Sequence, residues 1–352
     1  MQSGGFSVAI GNPPYVASSK VRSDYTVKGY DTGACPDIYA WCLERVTDLV
    51  APDSRVGMII PLSVTFSGDF STLRNLLLAS FQEKWFSSFG RIPSALFNYD
   101  VRVRNTICLA SRRGAGHAYS TRLHRWFDEE RPHLFGLIEY ACFEPARWDG
   151  LIPKVGSQGL CEALEALEPS GHPRVRDYCA RSSETHRLFF KKTAYNWLAF
   201  SHIPPPAFDA GGKPIPQTQL DTLDARNATA RRLLFLLLNG KIAFVYWYIL
   251  GDDFHVTKGV IASLPAPSLE AISNGRDFQA CEKALTQAMQ EAVAFKLNAG
   301  KKVGNFNLAR CRAVTDQTDI HFAHAMGLFS VWEAIETLYA KGVKTDFDDI
   351  GE

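Results

Sequence analysis

The stretch that decides the fold is Phe6-Ser7-Val8-Ala9-Ile10-Gly11-Asn12-Pro13-Pro14-Tyr15, near the start of the sequence. Its first part is an apolar run, which is typical of a strand buried in a parallel sheet. Pro13 and Pro14 each fix φ and lack an N–H, and each holds the preceding residue in an extended conformation. We therefore expect a stiff loop with outward carbonyl groups, at the strand end where open α/β sheets bind ligands.

This loop suits a reaction at the exocyclic amine of a purine. The lone pair of such an amine is delocalised into the ring, and two hydrogen-bond acceptors on its hydrogens would localise it for attack. The side-chain oxygen of Asn12 and the carbonyl of Pro13 are the predicted acceptors. Tyr15 offers an aromatic face on which a base can stack. A base within a duplex must be flipped out to reach such a loop.

The tetrapeptide resembles the catalytic motif of amino-methyltransferases that use S-adenosylmethionine (SAM). The resemblance is strongest to N6-adenine DNA methyltransferases of restriction–modification and phage-defence systems, notably type IIG-like methylases. Ser7 stands where that family usually has Asp. The resemblance implies SAM as cofactor, double-stranded DNA as partner, and the catalytic residues Asn12, Pro13, Pro14 and Tyr15.

The same tetrapeptide occurs in methyltransferases that act on RNA or on glutamine in release factors. Those enzymes are generally compact, whereas more than two hundred residues follow the motif here. The long remainder favours a target-recognition region. A second alternative is a non-catalytic DNA-recognition subunit that pairs with a separate SAM-binding methyltransferase chain.

The apolar spacing after the motif predicts alternating helices and strands. We expect a loop over 16–35, a helix from Pro36 to about Val50, a strand over 56–61, a helix over 71–81, and strands over 84–89 and 103–111. The resulting fold class is α/β. It resembles the second half of a class I (Rossmann-like) methyltransferase sheet, followed by an α+β target-recognition domain and a helical C-terminal segment.

Three domains are expected from this organisation: a partial methyltransferase catalytic domain over 1–115, a DNA-binding target-recognition domain over 116–265, and a helical region over 266–352. Residues 117–150 mix aromatic and charged side chains and are interpreted as a linker. An amphipathic helix is predicted over 278–297.

The stretch from Phe97 to Ile107 resembles the last conserved motif of the methyltransferase family, in which an aromatic residue packs on the flipped base. Phe97 is the candidate for that role. The family's Gly-rich SAM-binding turn is expected before Asn12 and is not found there. Gly114-Ala115-Gly116 follows a strand, but no helix and second strand ending in an acidic residue follow it. The cofactor-binding half is therefore expected in a partner subunit or in a missing N-terminal half.

Basic residues alternate with aromatic residues over 174–200, which predicts a sheet that faces DNA, with an ordinary exposed basic surface as the alternative. Lysine and arginine in such a surface neutralise phosphates. The candidate DNA-binding residues along the chain are Lys20, Arg102, Arg104, Arg187, Lys191, Lys192 and Lys258.

Composition sets further limits. The 352 residues carry a formal net charge of +1, so a DNA-binding surface has to be locally basic. None of the eight cysteines forms a C-x-x-C pair, so no metal site or disulfide framework is expected. The apolar run 233–238 is too short to span a bilayer, and we expect a cytoplasmic protein with no membrane partner.

Overall fold

The computed structural model describes residues 4–97, 103–168, 172–270 and 278–342. The chain divides into two compact units, one ending at Cys161 and the other beginning at Glu162. Each unit combines helices with sheet, which confirms the coarse prediction of an α/β chain.

The N-terminal unit is built on one mixed sheet. Its strands among the described residues are β1 (Phe6–Gly11), β2 (Val50–Pro61), β3 (Glu83–Phe89), β4 (Asn105–Ser111), β5 (Ala118–His124) and β6 (Ala141–Phe143), in the order β1-β2-β4-β3-β5-β6. β1 is parallel to β2, whereas β4 is antiparallel to both of its neighbours, β2 and β3. β3 and β5 are again parallel.

Two helices of this unit, over 39–49 and 71–80, lie close to the positions predicted for them, whereas the short helix over 63–66 was not predicted. The helices of the unit are α1 (Tyr39–Leu49), α2 (Ser63–Phe66), α3 (Ser71–Ser80) and α4 (Gln158–Leu167), the last crossing into the second unit. α1 buries Tyr39, Trp41 and Leu43, and it runs directly into β2 at Val50. Of the apolar residues whose 3.6-residue spacing predicted this helix, Trp41 is buried, whereas Leu49 is exposed.

β1 differs from its prediction as a buried strand. It is an edge strand of the described sheet, paired on one side with β2. Phe6, Val8 and Ile10 are 64%, 55% and 83% exposed. These alternate residues share one face of the strand. The strand is exposed because, within the described residues, its second edge has no paired strand and this face is left open to solvent.

The prediction of a linker over 117–150 is also wrong. β5 and β6 belong to the main sheet, and Trp126 and Leu134 pack with Phe89 in a buried cluster. The parallel pairing of β5 with β3 is a long-range contact, which the mixed composition of this segment does not reveal.

The C-terminal unit contains two small sheets within the described residues. Its strands are β7 (Arg187–Lys191), β8 (Phe200–Ser201), β9 (Ala207–Phe208), β10 (Leu220–Asp224), β11 (Val293–Asn298) and β12 (Lys301–Phe306), ordered β10-β7-β8 and β11-β12-β9. Its helices are α5 (Ala228–Leu238), α6 (Lys241–Leu250), α7 (Lys258–Ser263), α8 (Phe278–Glu291), α9 (Arg312–Ala325) and α10 (Trp332–Gly342).

α5 and α6 form the core of this unit. α6 is buried from Ile242 to Leu250, as expected of a helix that is apolar on all sides. In the described part of the chain, no single helix is long and apolar enough to cross a membrane. α5 and α6 pass that test only when taken together, and they are bent by 69°.

The helix predicted over 278–297 ends early. α8 stops at Glu291, and the remaining residues form β11, which pairs antiparallel with β12. Ala299 and Gly300 both have positive φ, at 47° and 75°, and connect the two strands. A two-residue turn of this kind matches the twist of a hairpin, so strand pairing overrides the helical spacing of the apolar residues.

Candidate functional site

The loop Asn12–Tyr15 leaves the carboxyl end of β1. Asn12 and Pro14 are exposed, whereas Pro13 and Tyr15 are half-buried. The Asn12 amide is therefore available to a ligand, and the far end of the loop is fixed to the protein. This is the edge of the sheet at which ligands bind in open α/β folds.

Tyr15 provides the fixed end. Its hydroxyl donates to the carbonyl of Ile59 on β2 at 2.9 Å and accepts from Nδ2 of Asn105 on β4 at 3.1 Å. Burial raises the pKa of Tyr15 to about 12, opposed by the hydrogen bond from Asn105. The phenol is therefore neutral at physiological pH. It holds the loop in place and does not act as a base.

The ring of Tyr15 is oriented by an aromatic row. It meets Tyr39 of α1 edge-on, with ring centroids 6.5 Å apart. Tyr39 in turn stacks on Phe70 at 5.0 Å, and its hydroxyl shares a hydrogen bond with Ser63. The Tyr15 ring is therefore held in two ways, by the hydrogen bonds of its hydroxyl and by its edge-on contact with Tyr39. Together these contacts restrict the orientations in which the ring can face a base.

The loop over 16–35 is more constrained than its polar composition predicts. Its ends are joined where the N–H of Ser18 donates to the carbonyl of Pro36 at 2.6 Å. Farther along, the backbone N–H groups of Asp31 and Thr32 donate to the carboxylate of Glu44 at 2.9 and 2.8 Å. Glu44 lies on α1, so the helix that supports Tyr15 also fixes this loop. Lys20 is exposed within the loop.

The predicted base-stacking segment is only partly described. Phe97 is half-buried and follows Leu96, which packs on the cluster around Trp126. Arg102 lies outside the described residues. The carbonyl of Arg104 accepts from the N–H of Leu62 at 2.9 Å. The stacking role of Phe97 and the DNA contacts of both arginines stay predictions.

The candidate DNA-binding residues of the C-terminal unit have different surroundings. The Arg187 guanidinium binds both carboxylate oxygens of Asp224, at 2.8 and 3.2 Å. Lys258 pairs with Asp221 at 2.8 Å. Lys192 is exposed. Arg187 and Lys258 thus already form ion pairs with carboxylates, whereas Lys192 projects into solvent.

Lys191 lies in a different setting from Lys192. Its amino group donates to the side-chain oxygen of Asn305 on β12. Burial, reinforced by the charge of Lys296, lowers the pKa of Lys191 to about 8. Lys191 is therefore half-buried and partly desolvated, whereas a phosphate contact on an open surface would be fully solvated.

Sequence reasoning missed two features of these sites. Asn105 stood within the quoted motif but received no role, because its partner Tyr15 is 90 residues away. The β11–β12 hairpin was predicted to be partly helical. It carries Lys301 and Lys302, both exposed, and Leu297, which is 81% exposed. The signal for the hairpin was the Ala-Gly pair between two lysine-containing segments.

The glycine turn between β4 and β5 differs from a cofactor cradle. Gly114 and Gly116 have positive φ, at 134° and 96°, and connect β4 directly to β5 with no helix between them. This turn does not match a Gly-rich SAM cradle, which opens a helix after a strand. No group of three His, Cys, Asp or Glu side chains able to hold a metal occurs in the described ranges.

The fold was compared with solved structures. The type IIL restriction–modification enzyme MmeI in complex with DNA aligns with a TM-score of 0.47 and 10% identity over 96% of this chain and 57% of that one. The type IIG restriction endonuclease BpuSI gives 0.33 and 11% over 96% and 54%. A DrdV–DNA complex gives 0.33 and 16% over 54% and 22%. The chain thus spans between about a fifth and three fifths of these proteins.

Comparison at the level of sequence matches only the N-terminal part of the chain. No curated protein matches the chain. Residues 1–92, which include β1, the Asn12–Tyr15 loop, α1 and β2, match the family model described as Eco57I restriction-modification methylase. Over this N-terminal segment the chain is similar to restriction–modification methylases, as its Asn-Pro-Pro-Tyr motif indicated.

Proposed function

We propose that this chain is the catalytic-loop and target-recognition portion of a site-specific DNA methyltransferase. It would transfer a methyl group from SAM to N6 of adenine, in the cytoplasm, within a restriction–modification or phage-defence system. The observation that carries the proposal is the exposed Asn12 beside the half-buried Pro13, at the end of β1, in a loop that Tyr15 anchors to the sheet.

The loop supplies hydrogen-bond acceptors and no base. The Asn12 side-chain oxygen and the Pro13 carbonyl would accept the two N–H groups of the adenine amine, which favours a pyramidal, nucleophilic nitrogen. Tyr15 would stack on the flipped adenine, and Phe97 is proposed as a second stacking residue. Pro14 keeps Pro13 extended and so directs its carbonyl.

The SAM-binding half is proposed to join the open edge of β1. An edge strand presents unpaired N–H and C=O groups to which another strand can add. On β1 this edge is accompanied by the exposed side chains of Phe6, Val8 and Ile10. A partner subunit or a preceding segment that paired there would extend the sheet beyond β1 and place SAM beside the loop. These features support the interpretation of the sheet as the second half of a class I methyltransferase.

DNA recognition is proposed for the rest of the chain. The segments 116–265 and 266–352 would form the target-recognition domain and a helical support. Lys192 and the hairpin lysines Lys301 and Lys302 are exposed and are proposed as phosphate contacts. The other proposed contacts are Lys20, Arg102, Arg104, Arg187, Lys191 and Lys258.

The test is methyl transfer to duplex DNA by this chain combined with the SAM-binding partner or segment. Asn12→Ala should reduce the rate by about two orders of magnitude, comparable to the loss of one preorganised polar contact at a reacting centre. Asn75→Ala, at an exposed position on α3, is the matched control. Full activity of the Asn12→Ala protein would reject the catalytic assignment. Together with retained DNA binding, that result would favour the non-catalytic recognition subunit.

A further inference from the structure

A cavity of about 230 Å³ lies within the C-terminal unit and is not used by the proposed methyl transfer. It is lined by β7 and the segment leading to β8 on one side, and by residues of β11 and β12 on the other. Drug-sized ligands occupy cavities of roughly 300–1,000 Å³. This cavity therefore encloses one ring system, and the exposed Lys296 in its lining places the attached groups of a larger ligand at its solvent-facing side.

The charged residues of the lining are both cations. Lys191 and Lys296 both line the cavity, and the side chains around it include no Asp or Glu. The amino group of Lys191 donates to Asn305, which is neutral and leaves the positive charge uncompensated by that contact. Because partial removal of the Lys191 cation from water is costly unless an anion compensates it, the lining favours an anionic ligand at Lys191. Lys296 is exposed and adds a second positive charge beside it. The lowered pKa of Lys191 is consistent with this desolvation.

Aromatic side chains form another part of the lining. Phe189, Tyr195, Trp197 and Phe306 all contribute. The Trp197 indole N–H donates to the carbonyl of Phe306 at 3.0 Å, and the ring of Tyr195 lies 5.1 Å from that of Phe254. These contacts fix two of the rings before any ligand arrives. Preset aromatic faces suit a flat heterocycle, which stacks at little entropic cost.

We propose that this cavity binds a single nucleotide, with its base against the aromatic side chains and its phosphate at Lys191 and Lys296. The choice of a nucleotide among anionic aromatic ligands rests on the proposed function in DNA methylation. A free mononucleotide and an unstacked nucleotide within a DNA strand offer the same chemistry. The site would be separate from the Asn12–Tyr15 loop, and its occupancy does not require methyl transfer.

The experiment is calorimetric titration of the full chain with adenosine 5′-monophosphate and with adenosine. The monophosphate should bind saturably, and adenosine should bind at least about tenfold more weakly because it lacks the charge-assisted contacts. Lys191→Met and Lys296→Met should each weaken monophosphate binding by about tenfold. Lys213→Met, at an exposed loop position, should not change it. Circular dichroism checks that each variant is folded.

A second set of titrations separates the sources of the ligand. Displacement of the monophosphate by a short single-stranded oligonucleotide would identify a nucleotide of DNA as the occupant. Binding of the monophosphate without displacement would identify the free nucleotide. Asn12→Ala should leave nucleotide binding in these titrations unchanged. Failure of the methylation proposal can therefore be distinguished from failure of the nucleotide-binding proposal. Equal binding of adenosine and its monophosphate, or undiminished binding by both folded lysine variants, would overturn the inference.

Discussion

Replacing Tyr15 with Phe tests how the candidate catalytic loop is held. The substitution keeps the ring and removes the hydroxyl that joins the loop to β2 and β4 through Ile59 and Asn105. Asn105 is fully buried, and its Oδ1 already has no hydrogen-bond partner. The variant would therefore leave both polar groups of this amide unsatisfied.

The expected magnitude follows from these contacts. Each neutral hydrogen bond contributes about 1 kcal/mol net, and each buried polar group left unpaired costs about 1–3 kcal/mol. Tyr15→Phe should therefore lower the free energy of unfolding of the N-terminal unit by about 2–3 kcal/mol. In a double-mutant cycle with Asn105→Ala, the coupling energy should be about 1 kcal/mol, because the two side chains are in contact.

Hydrogen–deuterium exchange of peptides from β1, β2 and β4 measures this free energy locally, in the presence of increasing urea. Tyr25→Phe is the control, because Tyr25 is exposed and should change stability by less than about 0.5 kcal/mol. The reasoning is refuted if Tyr15→Phe behaves like Tyr25→Phe, or if the cycle gives no coupling. Methyl transfer by the assembled Tyr15→Phe protein should also fall, since the loop loses its fixed end.

Three further predictions concern other sites. Glu44→Gln weakens the two N–H contacts that fix the 16–35 loop, so protease cleavage within this loop should accelerate while α1 stays protected. Replacing Lys301 and Lys302 together with Ala should lower the slope of log DNA affinity against log salt concentration by the equivalent of about two phosphate contacts, whereas Lys283→Ala should leave the slope unchanged. If the double variant has the same slope as the unsubstituted protein, the hairpin does not contact DNA phosphates. Burial raises the pKa of Asp319 to about 7. The folded state then holds a proton that the unfolded state releases, so stability should fall as pH rises from about 4 to 7, by up to about 4 kcal/mol, and Asp319→Asn should flatten that dependence in urea titrations.

Local signals in the sequence predicted much of the N-terminal unit. The apolar period of α1 and the short apolar run of β2 depend on residues close together in the chain, so both elements were found. The end of β2 was predicted correctly, but the strand begins at Val50, six residues before its predicted start. The conformational restriction of Pro13 and Pro14 is equally local. The exposure of β1 was not predictable, because it depends on which strands pair with β1 and not on the apolar character of β1 itself.

Long-range pairing explains the other failures. The helical spacing of apolar residues continues from α8 into Val293 and Phe295, yet pairing with β12 makes that segment a strand. β5 was hidden for the same reason, since its partner β3 precedes it by more than thirty residues. The contact of Tyr15 with Asn105 joins residues 90 positions apart. A single sequence contains no local pattern for such a pair.

The position of the Tyr15 anchor determines what a SAM-binding partner has to contribute. Ile59 and Asn105 belong to β2 and β4, which lie inside the sheet, whereas the proposed partner would add to the far edge of β1. The loop is thus held by strands that the partner does not touch. We therefore expect partner binding to increase hydrogen-exchange protection along β1 and to leave the Tyr15 anchor unchanged. If the Asn12–Tyr15 loop became ordered only in the assembled enzyme, the partner would position Asn12. That result would contradict our inference that β2 and β4 hold the loop independently of the partner.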